Sequence, residues 1–305
     1  ISKESLHTIK NYSHVYALIW YPHEPVNPES KIIKERVYKY LDEVNIPRNK
    51  LIYITGQLDL KQKTDFITRS FMIFDFIQYH NSKIYGSNRI EEKEYDFVHL
   101  IKKPRVQRIY LLYNLLHTNK KNLYTFKKDE YINYTSLKKE FEFLEKKYNT
   151  KDIHKYLNFY LNHEAIDFST LTNINDNNPF VINKNVCYKA LYQIVHETLC
   201  DKLFITEKTF KPIQIKQPFL IHGPVNSNLF LQNYGYEIFD EIFDYEFDSI
   251  TNIIERYDTC INMLSKLCYN NKGSVFEKLE HNFNNLVKRS EPRYMVKRIE
   301  KVLKI

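Results

Sequence analysis

Glycine and cysteine are both scarce in this chain, and their scarcity excludes several classes of protein. The 305 residues include five glycines and four cysteines. Neither G-x-G-x-x-G nor G-x-x-x-x-G-K-[ST] occurs, so the glycine-rich phosphate loops of dinucleotide-binding proteins and P-loop NTPases are missing. The cysteines show no C-x-x-C spacing, which indicates reduced thiols in an intracellular protein.

Long apolar runs are also missing from the sequence. No run reaches the roughly 18 residues that a membrane span needs. The first residues lack the charged, apolar and small-residue regions of a signal peptide. We therefore expect a protein without a membrane span, located in the cytoplasm.

Positive charge is in excess. The formal net charge is +8, and 43% of the residues are hydrophobic, which is enough for a packed core. A basic balance favours anionic partners such as nucleotide phosphates, nucleic acid or an acidic glycan. The lysines are spread along the chain, however, and codon bias in an AT-rich genome produces the same profile rich in Lys, Asn, Tyr and Ile.

Strand-like and helix-like apolar patterns alternate, which is typical of an α/β fold with parallel sheets. Residues 15–21 and 51–56 have the pattern of buried strands, and residues 57–80 are expected to be mainly helical. The polar segment 86–94 is the best candidate linker, and residues 95–101 begin a second sheet.

This alternation predicts two Rossmann-like domains that face each other across a cleft. The N-terminal domain would span residues 1–92, and the C-terminal domain would span 93–285. Residues 286–305 are expected to form a C-terminal helix that packs back on the N-terminal domain.

The most informative stretch has the pattern strand, loop, helix, strand. A strand at 192–195 leads into a loop, and a second strand ends at Gly223. Thr206 is a good helix N-cap, which places Glu207 and Lys208 in the first helical turn. Open parallel sheets bind ligands at this edge, and a helix N-terminus attracts phosphate. Lys208 could thus contact phosphate, and Glu207 could accept hydrogen bonds from ribose hydroxyls.

Two arginines follow the strand at 95–101 in a similar position. Pro104 fits the first position of a helix, so Arg105 and Arg108 would lie in its first turn, where the macrodipole disfavours cations. A bound phosphate would remove that conflict; exposed or carboxylate-paired arginines are the alternative.

Three segments together resemble the donor-binding signature of the α1,3-fucosyltransferases: His196-Glu197-Thr198, Phe204-Ile205-Thr206-Glu207-Lys208 and Pro218-Phe219-Leu220-Ile221-His222-Gly223. That family has a Glu-Asn-Ser element, a Tyr-Val-Thr-Glu-Lys element and a strand ending Pro-Val-Val-x-Gly. The residues that follow, and the segment 103–108, resemble glycosyltransferases of viruses and phages related to that family. The resemblance covers about residues 95–250 and is strongest from Glu197 to Gly223.

The resemblance implies a GT-B glycosyltransferase with its nucleotide-sugar donor in the C-terminal half, in the host cytoplasm if the chain is viral. By position, Lys208 would hold the diphosphate, Glu207 the ribose, and Arg105 or Arg108 a phosphate, with Glu197, Thr198 and Thr206 also in the donor site. Cations and the helix dipole would neutralise the leaving diphosphate, so no essential metal or other cofactor is expected. No guanine-specific signature is present, so a GDP-fucose donor is not implied.

An inverting transfer also needs a base that takes the proton of the acceptor hydroxyl. The family uses a glutamate of the N-terminal half, and here the loop after the first strand offers Glu24 and His23. Glu24 is preferred because it follows Trp20 and Tyr21, whose rings could stack on a sugar or base. Asp59, in the loop after the second strand, is a further candidate.

Other interpretations remain open at this level. The acceptor could be a glycan or another hydroxylated molecule, or a modified DNA base; the chain could also be a non-enzymatic nucleic-acid-binding protein. A basic stripe would then contact the phosphate backbone: Lys297, Arg298, Lys301 and Lys304. A series at i, i+4 and i+8 suggests a metal site, but aromatic residues interrupt it and no histidine is adjacent: Asp240, Asp244 and Asp248.

Overall fold

The computed structural model describes residues 17–21, 30–59, 66–86, 92–101, 103–126, 134–148, 152–166, 179–268 and 274–303. Within these ranges the strands are β1 (Ala17–Tyr21), β2 (Leu51–Thr55), β3 (Ile67–Ser70), β4 (Lys83–Tyr85), β5 (Tyr95–Ile101), β6 (Asn122–Phe126), β7 (Val181–Asn183), β8 (Ala190–His196) and β9 (Phe219–His222). The helices are α1 (Lys31–Glu43), α2 (Phe74–Asn81), α3 (Val106–Leu116), α4 (Tyr134–Tyr148), α5 (His154–Asn162), α6 (Lys184–Cys187), α7 (Glu207–Gln214), α8 (Ser227–Asn233), α9 (Ile253–Lys266), α10 (Ser274–Arg289) and α11 (Pro292–Leu303). None of these helices has the length and apolar character that crossing a bilayer requires.

The N-terminal strands form a parallel sheet in the order β1-β2-β3. β2 is buried along its whole length, and its side chains alternate between the two faces of the sheet. Leu51 and Tyr53 pack in a cluster with α1, whereas Ile52 and Ile54 pack in a cluster with Met295 of α11. The C-terminal helix therefore covers one face of the N-terminal sheet.

The larger sheet is also parallel, in the order β6-β5-β8-β9. Its strands read as nearly continuous apolar runs, as expected for strands that are buried on both faces. One cluster of buried side chains joins it to α7, α8 and α10, and a second joins it to α4 and α5. Helices α3 and α9 contribute to both clusters.

These sheets confirm the prediction of an α/β fold with parallel strands. The boundary at residue 92 is crossed by a short third sheet, in which β4 pairs in parallel with β7. Gly86 ends β4 with a φ of +94°, and a Cβ there would lie 2.5 Å from Oδ1 of Asn185. The arrangement of two domains across a cleft stays a prediction.

The prediction of a mainly helical segment at 57–80 is wrong. Within its described part, β3 pairs with β2 from Ile67 to Ser70, and a helix begins only at Phe74. The aromatic side chains of this segment enter three different clusters: Phe66 packs with α1, Phe71 packs with α11, and Phe74 packs with the core of the larger sheet. The packing of the segment therefore depends on elements that are distant in the sequence.

The two sheets are connected by specific polar contacts. The N–H of Leu58, in the loop after β2, donates to the carbonyl of Leu203 at 2.8 Å. Asp75 of α2 is fully buried and accepts from Arg289 Nε at 3.1 Å and from Arg298 Nη1 at 2.9 Å. Both arginines belong to the C-terminal helices, so this acid ties α2 to α10 and α11.

Candidate functional site

The carboxyl ends of β5, β8 and β9 carry the loops that the sequence singled out. After β8 the chain crosses residues 197–206 and enters α7, with Thr206 as the N-cap residue. The hydroxyl of Thr206 accepts from the N–H of Lys208 at 3.4 Å. The predicted start of this helix is therefore confirmed, and Glu207 and Lys208 lie in its first turn.

Glu197 joins the end of β8 to the start of α7. Its side chain is 1% exposed, and its Oε1 accepts from the N–H of Thr206 at 3.0 Å and from the Thr209 hydroxyl at 2.7 Å. Its Oε2 accepts from the Thr206 hydroxyl at 2.6 Å. These bonds direct the carboxylate into the protein, so Glu197 orients the helix start. Gly223 packs directly behind it, where a Cβ would lie 3.2 Å from Cβ of Glu197.

Lys208 is the centre of a second network on the exposed side of the helix start. Its Nζ donates to Oε1 of Glu207 at 2.8 Å, to the Thr206 hydroxyl at 3.1 Å and to the Thr198 hydroxyl at 3.3 Å. The Lys208 side chain is 28% exposed and that of Glu207 13%. Burial favours a raised pKa for Glu207, but the adjacent ammonium outweighs it and holds this pKa below its usual value.

The two arginines after β5 have different environments. Arg108 is buried, and its guanidinium donates to the carbonyls of Lys103 at 2.8 Å, His196 at 3.0 Å and Glu197 at 3.1 Å. Burial, and then the charge of Arg105, lower its pKa to about 10. The bonds to three carbonyls offset the unfavourable position of Arg108 in the first turn of α3. Among the described residues, Arg108 is therefore neither exposed nor paired with a carboxylate.

Arg105 is the N-cap residue of α3, which begins at Val106 rather than at Pro104. It is half-buried, and within the described part of the chain its guanidinium makes no hydrogen bond or ion pair. Of the two predicted phosphate contacts, Arg105 is therefore the one that a ligand can reach. Arg108 instead holds the loops after β5 and β8 together.

The predicted catalytic base is not located. Glu24 and His23 lie outside the described residues, so their roles stay predictions. Asp59 is described and exposed, and it follows Leu58, whose backbone bonds to Leu203. The loop after β2 therefore reaches the loop that precedes α7.

A row of buried histidines on adjacent strands was missed by the sequence analysis. His99 Nδ1 and His196 Nε2 lie 3.0 Å apart and share a hydrogen bond, and His196 packs against His222 with ring centroids 5.4 Å apart. Burial lowers the pKa of His99 to about 4 and that of His222 to about 3, so the row is neutral at physiological pH. His99 and His196 are far apart in sequence, and no local pattern connects them.

The aspartate series suggested as a metal site does not converge. Asp240 pairs with Lys278, Asp244 accepts from the N–H of Glu246, and Asp248 accepts from the N–H groups of Asn228 and Leu229 at the start of α8. Each carboxylate thus has a separate structural role. The described residues contain no cluster of three or more His, Cys, Asp or Glu side chains arranged for a metal.

The C-terminal basic stripe is interrupted as well. Arg298 bonds to Asp75 and to the Tyr234 hydroxyl at 2.7 Å, so its charge is neutralised inside the protein. Lys304 lies outside the described residues. Arg298 therefore cannot serve the backbone contact that the nucleic-acid interpretation assigned to it.

No protein-family model, curated protein or solved structure matches the chain in sequence or structure searches.

Proposed function

We propose that the chain is a glycosyltransferase that moves a sugar from a nucleotide-sugar donor to a hydroxyl acceptor. The observation that carries this proposal is the position of Lys208. Its ammonium lies in the first turn of α7, at the carboxyl edge of a parallel sheet, and hydrogen bonds to Glu207, Thr198 and Thr206 fix its place. Helix dipole and ammonium both attract a phosphate at this point.

The departing nucleoside diphosphate explains why cations are needed there. As the bond between sugar and phosphate breaks, negative charge develops on the leaving oxygen, and prearranged positive groups stabilise that charge. Lys208 and the dipole of α7 supply positive charge from one side and Arg105 supplies it from another, so we propose transfer without an essential metal. Glu207, held ionised by Lys208, is placed to accept hydrogen bonds from the ribose.

The acceptor would enter from the N-terminal sheet, as in the GT-B arrangement. Support comes from two parallel sheets and from the loop after β2, which touches Leu203 close to α7. Glu24 or His23, both of which follow β1 in the sequence, is proposed as the base that takes the acceptor proton in an inverting transfer. The interrupted basic stripe gives no specific support to a DNA acceptor.

A thermal-shift screen with UDP-, GDP- and CDP-sugars tests donor binding, because a ligand that binds only the folded state raises the melting temperature. We expect Lys208→Ala to weaken binding of the effective donor about tenfold to a hundredfold, as lost hydrogen bonds to a charged group predict. Release of nucleoside diphosphate should fall in parallel.

Lys211→Ala is the matched control, since it removes the same charge from the same helix one turn further along. Its donor affinity should stay within about twofold of wild type. The proposal is wrong if no nucleotide sugar binds, or if Lys208→Ala and Lys211→Ala have the same effect.

A further inference from the structure

A cleft of about 330 Å³ opens beside the proposed donor site. It lies between the start of α3, the helix α4, the loop after β8 and the start of α9. Its lining includes the apolar side chains of Val106, Phe143 and Ile253, the polar side chains of Gln107 and Ser136, and the charged side chains of Lys139 and Glu140. Its volume falls in the range of about 300 to 1,000 Å³ that is usual for small-molecule pockets.

The walls of the cleft combine apolar surface with a few polar groups. Val106 and Ile253 are buried and provide apolar contact, whereas Phe143 is 59% exposed. The ammonium of Lys147 lies 5.5 Å from the centre of the Phe143 ring, and the exposed surface of that ring is available for stacking. A flat, heterocyclic group that is apolar on its faces and polar at its edges matches these walls.

Hydrogen bonds through Thr198 link a wall of the cleft to the site that we assign to the diphosphate. Gln107 Nε2 donates to the carbonyl of Thr198 at 3.2 Å, and the hydroxyl of Thr198 accepts from Lys208 at 3.3 Å. Arg105, the accessible cation of the site, directly precedes the lining residue Val106. One residue, Thr198, thus touches both the cation and the side chain that lines the cleft.

We propose that this cleft is the nucleobase subsite of the donor, with the base stacked on Phe143 and inserted between α3 and α4. The inference rests on the proposed function, because it assumes a nucleoside diphosphate with its phosphates at Lys208. It assigns to Phe143, Gln107 and Ser136 a part in donor selection that no sequence motif indicated.

Two probes separate the base from the phosphates: the nucleoside diphosphate (UDP, GDP or CDP) that gives the largest thermal shift, and inorganic pyrophosphate, which has no base. Ser136 is exposed at the cleft, so Ser136→Trp should fill it without disturbing the core. We expect this variant to bind the nucleoside diphosphate at least about tenfold more weakly, or about 1.4 kcal/mol, and pyrophosphate as wild type does.

Phe143→Ala is the second variant and removes only an exposed ring. We expect a loss of about fivefold or more for the nucleoside diphosphate, consistent with stacking of a base on an aromatic side chain. Lys146→Trp is the control, because it places the same bulk at an exposed position of α4 that does not line the cleft. Its affinity for both probes should equal that of wild type.

The outcomes distinguish this inference from the proposal on which it rests. Affinity that depends on Lys208 but stays within twofold in both Ser136→Trp and Phe143→Ala would overturn the subsite and leave the glycosyltransferase proposal intact. An equal loss for pyrophosphate and nucleoside diphosphate would also overturn it. No shift with UDP, GDP or CDP, in contrast, would refute both.

Discussion

Replacing Glu197 tests the architecture of the candidate site directly, since this carboxylate receives three hydrogen bonds in a buried position. Glu197→Ala leaves the N–H of Thr206 and the hydroxyls of Thr206 and Thr209 without their acceptor. A buried donor without a partner costs about 1 to 3 kcal/mol. The hydroxyls can rotate toward other acceptors or toward water that enters, so we expect the free energy of unfolding to fall by about 3 to 6 kcal/mol in total.

Glu197→Gln separates shape from charge. Its oxygen can still accept from the Thr206 N–H and the Thr209 hydroxyl, but its NH₂ group faces a Thr206 oxygen that already accepts from the N–H and the ammonium of Lys208. The Thr206 hydroxyl loses its acceptor and the other two bonds lose their charge assistance, so we expect the free energy of unfolding to fall by about 2 to 3 kcal/mol. A typical domain is stable by about 5 to 15 kcal/mol, so the alanine variant would remove a large part of the total and the glutamine variant a smaller part.

Urea denaturation at pH 7, followed by circular dichroism, measures these losses. Hydrogen exchange of residues 204–214 would show whether the start of α7 opens first. Glu142→Ala is the control: this acid makes only an exposed pair with Lys138 at 3.7 Å, so its removal should cost less than about 1 kcal/mol. The reasoning is refuted if Glu197→Ala costs no more than the control. It is also refuted if the glutamine variant is as unstable as the alanine variant.

Two further predictions concern buried charge. Asp75→Ala leaves Arg289 and Arg298 without their shared carboxylate, so we expect the free energy of unfolding in urea to fall by about 3 to 5 kcal/mol and α11 to be cleaved earlier by a protease. A free energy of unfolding within about 1 kcal/mol of wild type would show that Asp75 does not hold α10 and α11 in place. Burial holds the pKa of His99 at about 4 and that of His222 at about 3, so the unfolded chain binds more protons than the folded chain below about pH 6.5. Stability should therefore be complete above pH 6.5 and fall as the pH drops toward 4, by about 1.4 kcal/mol per pH unit for each histidine. His222→Phe should reduce that slope by one proton, and an unchanged slope would argue against a neutral buried His222.

The helix start at Thr206 could be predicted because its signals are local. A residue that prefers the N-cap position, an acid in the first turn and an apolar strand on either side lie within a short stretch of sequence. The same holds for β2, β5, β8 and β9, each of which is a mainly apolar segment. The position of Lys208 at a sheet edge follows from these elements.

Other parts of the site could not be predicted from local patterns. The sequence predicts a phosphate contact for Arg105 or Arg108, and the structure shows that Arg108 donates to the carbonyls of Lys103, His196 and Glu197. His196 lies 88 residues from Arg108 in the sequence. β3 lies within a segment that the sequence predicts to be helical. The local pattern does not show this strand, because its burial depends on β2 and on helices from both ends of the chain.

The sequence alone therefore determined the alternation of strands and helices, the start of α7 and the cation that it presents, since each depends on neighbours along the chain. The tertiary structure decided which of the charged residues remain accessible. Lys208, although it pairs with Glu207, and Arg105 remain partly exposed to a ligand, whereas Glu197, Arg108 and Arg298 are bonded to partners inside the protein. The physical reason is burial: a polar group removed from water must find a partner, and only the folded chain brings those partners together.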